Sequence, residues 1–247
     1  LPPVIRYVQD VEFDPLVYKA GMGAADELAK IILTGSFTER GQAAREFDLQ
    51  IRQQTGVAKA PYVAELVRML LESGEKVILW GWHLMVYDIW KDRLRDYRPV
   101  LFTGEQSAVA KERAKADFIE GRSDLLIMSL RSGEGTNGLQ DVCSVGVFGE
   151  MDWTPAVHHQ CIGRLARDGQ EASVQIFFPV APVGSDPVMA SILGLKQAQA
   201  DGIMDLGVSQ GAGDVAVDDS RIKQLAVEYL KSRGVPLPAK KSEEIVV

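Results

Sequence analysis

Cysteine, histidine and basic charge are all scarce in this 247-residue sequence, and each scarcity excludes something. Two cysteines, Cys143 and Cys161, are too few for a disulfide framework, and a reducing, cytoplasmic compartment is expected. Three histidines, His83, His158 and His159, offer little to a metal. His158 and Cys161 stand at i, i+3, two ligands short of a tetrahedral set, so no metal is assigned. No stretch approaches the roughly 20 apolar residues of a membrane span. Leu1, Pro2 and Pro3 supply neither a basic nor an apolar targeting segment, so no signal peptide is read, and a start on Leu reads as a cut or processed chain. Lys and Arg total 27 against 34 Asp and Glu, a net charge of −7. That is the wrong sign for a domain that coats nucleic acid electrostatically, so any such contact must be local. No GxxxxGK[ST] phosphate loop occurs anywhere, and the common nucleotide cradle is missing. There is no internal repeat and no low-complexity tract.

Apolar residues make up 46% of the chain, enough for a sizeable core. Residues 1–57 read as a helical lead-in, with Ala25, Leu28, Ala29 and Ile32 at helical spacing and Thr55-Gly56 as a helix stop. From Ala60 onward, helices alternate with short apolar strands. Pro61 fits the first turn of a helix carrying Val63, Leu66, Val67 and Leu70, ended by Gly74. Strands are expected at 76–80, 99–102, 124–129, 145–148 and 173–178. Helices are expected at 84–94, 107–119 and from Pro155 to Arg167. This order predicts an α/β fold, a parallel sheet flanked by helices over 58–182. A helical extension covers 183–234, with helices at 187–200 and 220–232 around a Gly/Asp-rich link at 207–213, and a tail follows over 235–247.

In an open parallel sheet, ligands bind beyond the carboxyl ends of the strands, and three segments fall there. Ser132 to Gln140 holds Gly133, Gly135 and Gly138, whose backbone N–H groups could converge on a phosphate or simply form a tight turn. These glycines also match GxGxxG. Only six residues separate Gly138 from Val145, too few for that fingerprint's helix, which disfavours a nicotinamide-binding oxidoreductase. On the helix begun by Pro155, Gln160, Arg164 and Arg167 fall at i, i+4, i+7 on one face. Paired arginines suit charge on a transferring phosphate, although arginine near a helix end is also stabilising by itself. Glu150 and Asp152 could bind magnesium, but without a phosphate loop they read as loop-holding or capping acids. Trp80, Trp82 and Trp90 read as core or interface aromatics.

In order, these segments resemble the second RecA-like lobe of the Swi/Snf-type branch of superfamily-two helicases, over about residues 44–180. Lys76 to His83 resembles motif IV. Thr103-Gly104-Glu105, followed by a charged helix ending in Phe118, resembles the next block. Ser129 to Gln140 resembles motif V, with Gly138 as an apparent insertion. Asp152 to Pro155 is similar to the lead into motif VI, and Gln160 to Gln170 fits QxxxRxxRxGQ. Gln53 to Lys59 resembles the approach to this lobe in bacterial and phage members. The first lobe, with its phosphate loop and magnesium motif, has no counterpart here.

The resemblance implies the second motor lobe of an ATP-dependent DNA helicase or translocase. Arg164 and Arg167 would be arginine fingers. Gln160, Gly133, Gly135, Asn137, Gly169 and Gln170 would belong to the nucleotide-facing motifs, with Gly133, Gly135 and Asn137 linking the nucleotide cleft to DNA. Trp82, His83, Thr103, Gly104, Ser129 and Arg131 would lie along DNA, meeting phosphates and not bases. ATP and Mg2+ would be held mainly by a first lobe of the same native chain, with this chain alone binding neither and turning over no ATP. The competing reading is a catalytically silent interaction module of the same fold.

Overall fold

The computed structural model describes residues 1–132, 137–195 and 219–238. A six-stranded, all-parallel sheet in the order β1-β6-β5-β2-β4-β3 organises the molecule. Its strands are β1 (Val4–Asp10), β2 (Val77–Gly81), β3 (Val100–Phe102), β4 (Leu125–Ser129), β5 (Val145–Phe148) and β6 (Val174–Val180). The helices are α1 (Pro15–Ala20), α2 (Ala25–Thr34), α3 (Phe37–Glu72), α4 (Leu84–Arg93), α5 (Ala108–Ile119), α6 (Pro155–Ile162), α7 (Asp186–Ile192) and α8 (Asp219–Ser232). The expected parallel α/β architecture is present.

Side chains of the central strands alternate between two cores, as the two-residue period of a strand requires. Ile78, Trp80, Leu126, Met128 and Phe148 face one layer, with Phe118 of α5, Cys161 and Ile162 of α6, and Leu225 and Tyr229 of α8. Val77, Leu79, Leu125, Ile127 and Val147 face the other, against α4 and the second half of α3. Trp80 stacks on Phe148 at 4.7 Å, and Phe148 on Phe178 at 4.9 Å. Trp80 and Trp90 are core residues, whereas Trp82 keeps 37% of its surface exposed.

Three local expectations are corrected. The lead-in begins with strand β1, paired in register with β6 from Val4–Val174 to Asp10–Val180. It is an edge strand with alternating exposure, so it lacks the continuous apolar run of a buried parallel strand. Helix α3 does not stop at Thr55-Gly56 but runs on for 36 residues, with Pro61 inside it and not in its first turn. Thr55 stays helical with its hydroxyl donating back to the Ile51 carbonyl of the same helix at 2.6 Å and accepting the distant Ser185 N–H at 3.1 Å. Pro61 removes one ladder hydrogen bond, and nearby the Ala58 carbonyl accepts the Asp14 N–H at 2.9 Å.

The third correction concerns α6, which ends at Ile162. Gly163 closes it, donating to the His159 carbonyl at 2.8 Å, and residues 163–169 follow as turns. Gln160 is therefore on the helix, whereas Arg164 and Arg167 project from turns, and the three do not share a helical face. In the C-terminal extension, α7 and α8 occupy part of the expected helical spans. Residues 196–218, which include the 207–213 link, and residues 239–247 of the tail lie outside the described residues. No helix among the described residues is long and apolar enough to cross a membrane.

Candidate nucleotide and DNA interface

β2 sits between β4 and β5, so the chain crosses it between Ser129 and Val145, and among the described residues the connection holds only a 3-10 turn, Leu139–Asp141. Residues 138–144 hold no dinucleotide-type helix. The carboxyl ends of β2, β4 and β5 consequently lie together, the position where open α/β sheets bind ligands.

Glu150, just past β5, fastens this end. Its Oε2 accepts the backbone N–H groups of Trp82 at 2.7 Å and His83 at 3.0 Å, and its Oε1 lies 2.5 Å from His83 Nδ1. Desolvation pushes this buried carboxyl up, but the His83 side chain and the two amides outweigh it and hold it below the usual carboxylate range. His83 is also the N-cap residue of α4. Gly56 of α3 approaches from the other side: a Cβ there would lie 2.6 Å from Glu150 Oε1.

Asp152 makes a second junction. Its Oδ1 accepts the Thr154 N–H at 2.9 Å at the start of α6, and its Oδ2 lies 3.2 Å from Arg131 Nη2. Arg52 of α3 reaches the Met151 carbonyl at 3.3 Å and lies 3.9 Å from Asp152 Oδ2. Asp48 accepts the Trp153 indole N–H at 2.7 Å. Arg131 leaves β4 with its guanidinium 5.4 Å from the centre of the Trp82 ring, a cation–π pair at the surface. Arg52 and Asp48 carried no motif that could mark them, because they act across 99 and 105 residues of chain. Both acids near β5 hold loops, as their surroundings in sequence suggested.

His158 is fully inside, packed against the Phe148 ring at 4.8 Å and the Phe178 ring at 6.1 Å, with Nε2 accepting the Asp152 N–H at 3.3 Å and Nδ1 donating to the Thr154 carbonyl at 3.3 Å. Burial pulls its pKa to about 4, with Asp152 opposing. It is a neutral core histidine. Burial pushes the Cys143 and Cys161 thiols up to about 12. Among the described residues no three His, Cys, Asp or Glu side chains are grouped to hold a metal ion.

The two arginines meet opposite ends of the segment after β4. Arg164 Nη2 donates to the Ser132 carbonyl, and Nη1 lies 3.9 Å from Met128 Sδ. Desolvation lowers the pKa of Arg164. Arg167 Nη1 donates to Asn137 Oδ1 at 2.8 Å. Gly133 and Gly135 lie outside the described residues. Gln160 is exposed on α6. Gly169 adopts φ 96° beside Asp141, and Gln170 donates to the Cys143 carbonyl at 2.8 Å.

The remaining positions are spread along the sheet's rim. Thr103 is buried at the end of β3, with its N–H and hydroxyl both donating to Gln106 Oε1, at 2.9 and 2.6 Å. Gly104 stands open, with nothing near a would-be Cβ. The Ser129 carbonyl accepts the Ser132 N–H at 3.0 Å and hydroxyl at 2.8 Å. The structure thus joins Trp82, His83, Ser129 and Arg131 at the ends of β2 and β4. Thr103 and Gly104 lie at the edge strand.

This sheet, with its flanking helices, matches the RecA-like C-terminal lobe of SWI2/SNF2 ATPases. The C-terminal part of the Fun30 ATPase domain superposes with a TM-score of 0.67 at 12% identity, over 95% of this chain and 99% of that one. The Sulfolobus solfataricus SWI2/SNF2 ATPase core in complex with dsDNA gives 0.69 at 17% identity, over 97% of this chain and 51% of that one. No protein-family model matches the chain. Among curated proteins, it is 32% identical over 132 residues to SWI/SNF-related matrix-associated actin-dependent regulator of chromatin subfamily A-like protein 1 of Bos taurus, covering 52% of this chain and 14% of that protein. RNA polymerase-associated protein RapA of Haemophilus influenzae is 35% identical over 86 residues, 34% of this chain and 9% of that protein. The motif-based resemblance to the second lobe is therefore met in both fold and sequence relatives. The chain spans a small part of the length of these curated relatives.

Proposed function

We propose that this chain is the second motor lobe of an ATP-dependent DNA translocase or helicase, working with a first RecA-like lobe. The observation that carries the reading is the ordered motif set on a C-terminal-lobe fold, with Arg167 on a partly exposed turn. Arg167 is the phosphate-facing arginine, because the contact it makes among the described residues is to a neutral amide, Asn137 Oδ1, and not to a carboxylate. Arg164 supports it from within, since its guanidinium ends on the Ser132 carbonyl. The planar donor fork of arginine suits a phosphoryl group whose charge spreads over its oxygens.

ATP with Mg2+, held mainly by the first lobe, would supply the phosphoryl group. This chain's part is to orient a cation, the Arg167 guanidinium, toward it. Trp82, Arg131 and the turn at Thr103 and Gly104 face the DNA backbone. An acidic domain with few such donors binds DNA weakly and without sequence preference.

The test compares ATP turnover by the chain alone and by the chain joined to a first lobe, with and without duplex DNA. Turnover only in the joined, DNA-bound protein is expected. Magnesium-dependent turnover by the isolated chain would overturn the division of labour.

A further inference from the structure

We infer that Asn137 is the positioning residue for Arg167, and that Gly138, the apparent insertion in the motif, builds the turn that aims it. The inference rests on the reading of Arg167 as the phosphate-facing arginine.

Two tight turns dock against each other here. In the first, Gly138 takes φ 93° and ψ −10°, a left-handed conformation that residues with a Cβ resist. A Cβ would also lie 3.2 Å from Ile119 Cδ1 at the end of α5. The Gly138 N–H donates to Gln140 Oε1 at 3.0 Å, and its carbonyl accepts the Asp141 N–H at 3.3 Å. Leu139 is buried and pins the turn to the core. In the second turn, the Gln170 N–H donates to the Arg167 carbonyl at 3.2 Å, and Gly169 takes φ 96°.

The turns touch at Gly169, where a Cβ would lie 3.1 Å from Asp141 Oδ1 and 3.8 Å from Gln140 Nε2. Gln170 adds a bond from its Nε2 to the Cys143 carbonyl at 2.8 Å. The backbones carrying Asn137 and Arg167 are thus fixed relative to each other independently of the side-chain bond between them. An arginine on a surface turn otherwise samples many rotamers, and orienting it costs entropy at the moment of reaction. A neutral amide oxygen orients the guanidinium while leaving its charge uncancelled. A carboxylate at the same place would compete with the phosphate.

The test uses the protein joined to its first lobe, with saturating duplex DNA. Asn137→Ala is expected to lower kcat about tenfold with the KM for ATP within about twofold, the mark of lost orientation in the transition state. Asn137→Asp is expected to lower kcat at least as far, by neutralising Arg167. In an Arg167→Lys background, Asn137→Ala should add little, because paired residues acting through one group are not additive. Melting temperatures of all variants separate misfolding from misplacement. If Asn137→Ala keeps kcat within twofold while Arg167→Ala is inactive, the inference falls and the arginine reading stands. An equal Asn137→Ala loss in the Arg167→Lys background also overturns it. Unchanged kcat in Arg167→Ala removes the arginine reading, and the inference with it.

Discussion

His83 Nδ1 and Glu150 Oε1 lie 2.5 Å apart, and this contact ties the end of β5 to the loop that leaves β2. The other Glu150 oxygen receives two backbone N–H groups from that loop. Removing the carboxylate strands buried donors, which costs more than the bonds were worth. Glu150→Ala is expected to lower unfolding free energy by about 2–4 kcal/mol, read from the urea midpoint at constant m. A change below about 0.5 kcal/mol would show that the contact does not hold the loop.

Two glycines in the same helix should respond with opposite sign. Replacing glycine by alanine inside a helix ordinarily stabilises by about 0.5–1 kcal/mol. Gly41 of α3 has nothing within 4 Å of a new Cβ, so Gly41→Ala should stabilise by about that amount. At Gly56 the Cβ would meet Glu150 Oε1 at 2.6 Å and Val86 Cγ2 at 3.0 Å. Gly56→Ala should therefore destabilise by more than about 1 kcal/mol, because a buried charge must shift. Thermal melts of the two variants check the sign directly.

His158 makes stability fall with acid. Burial lowers its pKa from the ordinary 6.5 to about 4, with Arg52 and His159 adding to the fall and Asp152 opposing it. The unfolded chain therefore binds this proton at higher pH than the folded one. Its contribution is complete above about pH 6.5 and is lost as pH falls toward 4, by about 3 kcal/mol at most. Glu150, held low, loses stability in the same direction as it protonates, whereas Asp48 and Asp186, pushed up by burial, titrate with the opposite sign. The wild type minus His158→Gln difference in urea midpoint isolates the histidine. That difference should shrink from pH 7.5 to pH 5. Parallel curves would contradict the account.

The central sheet was readable because β2, β4 and β5 are buried on both faces and appear as unbroken apolar runs such as Val77 to Trp80. β1 escaped because an edge strand alternates Ile5 and Tyr7 outward with Val4, Arg6 and Val8 half-buried. α3 read as two pieces because it serves two cores: Phe47 and Ile51 pack in one, Val63 and Val67 in the other. No single apolar stripe persists along it, and Gly56 marks a close approach by Glu150, not a stop. At α6 both Gly163 and Gly169 could end the helix, and local spacing does not choose between them. The nearness of Arg164 to Ser132 and of Arg167 to Asn137 depends on the turns after α6, which no helical periodicity describes.

Arg167 carries the central claim, and the turnover number of Arg167→Ala in the two-lobed protein with saturating duplex DNA tests it most directly. An arginine acting on transition-state charge governs kcat far more than nucleotide binding, and its loss costs about 10³-fold or more. The account predicts that kcat falls by that order while nucleotide affinity and melting temperature stay close to wild type. Arg167→Lys should recover little, since it keeps the charge without the planar fork. A normal kcat with a lowered melting temperature would contradict the account and leave Arg167 as a brace for the turn that follows α6.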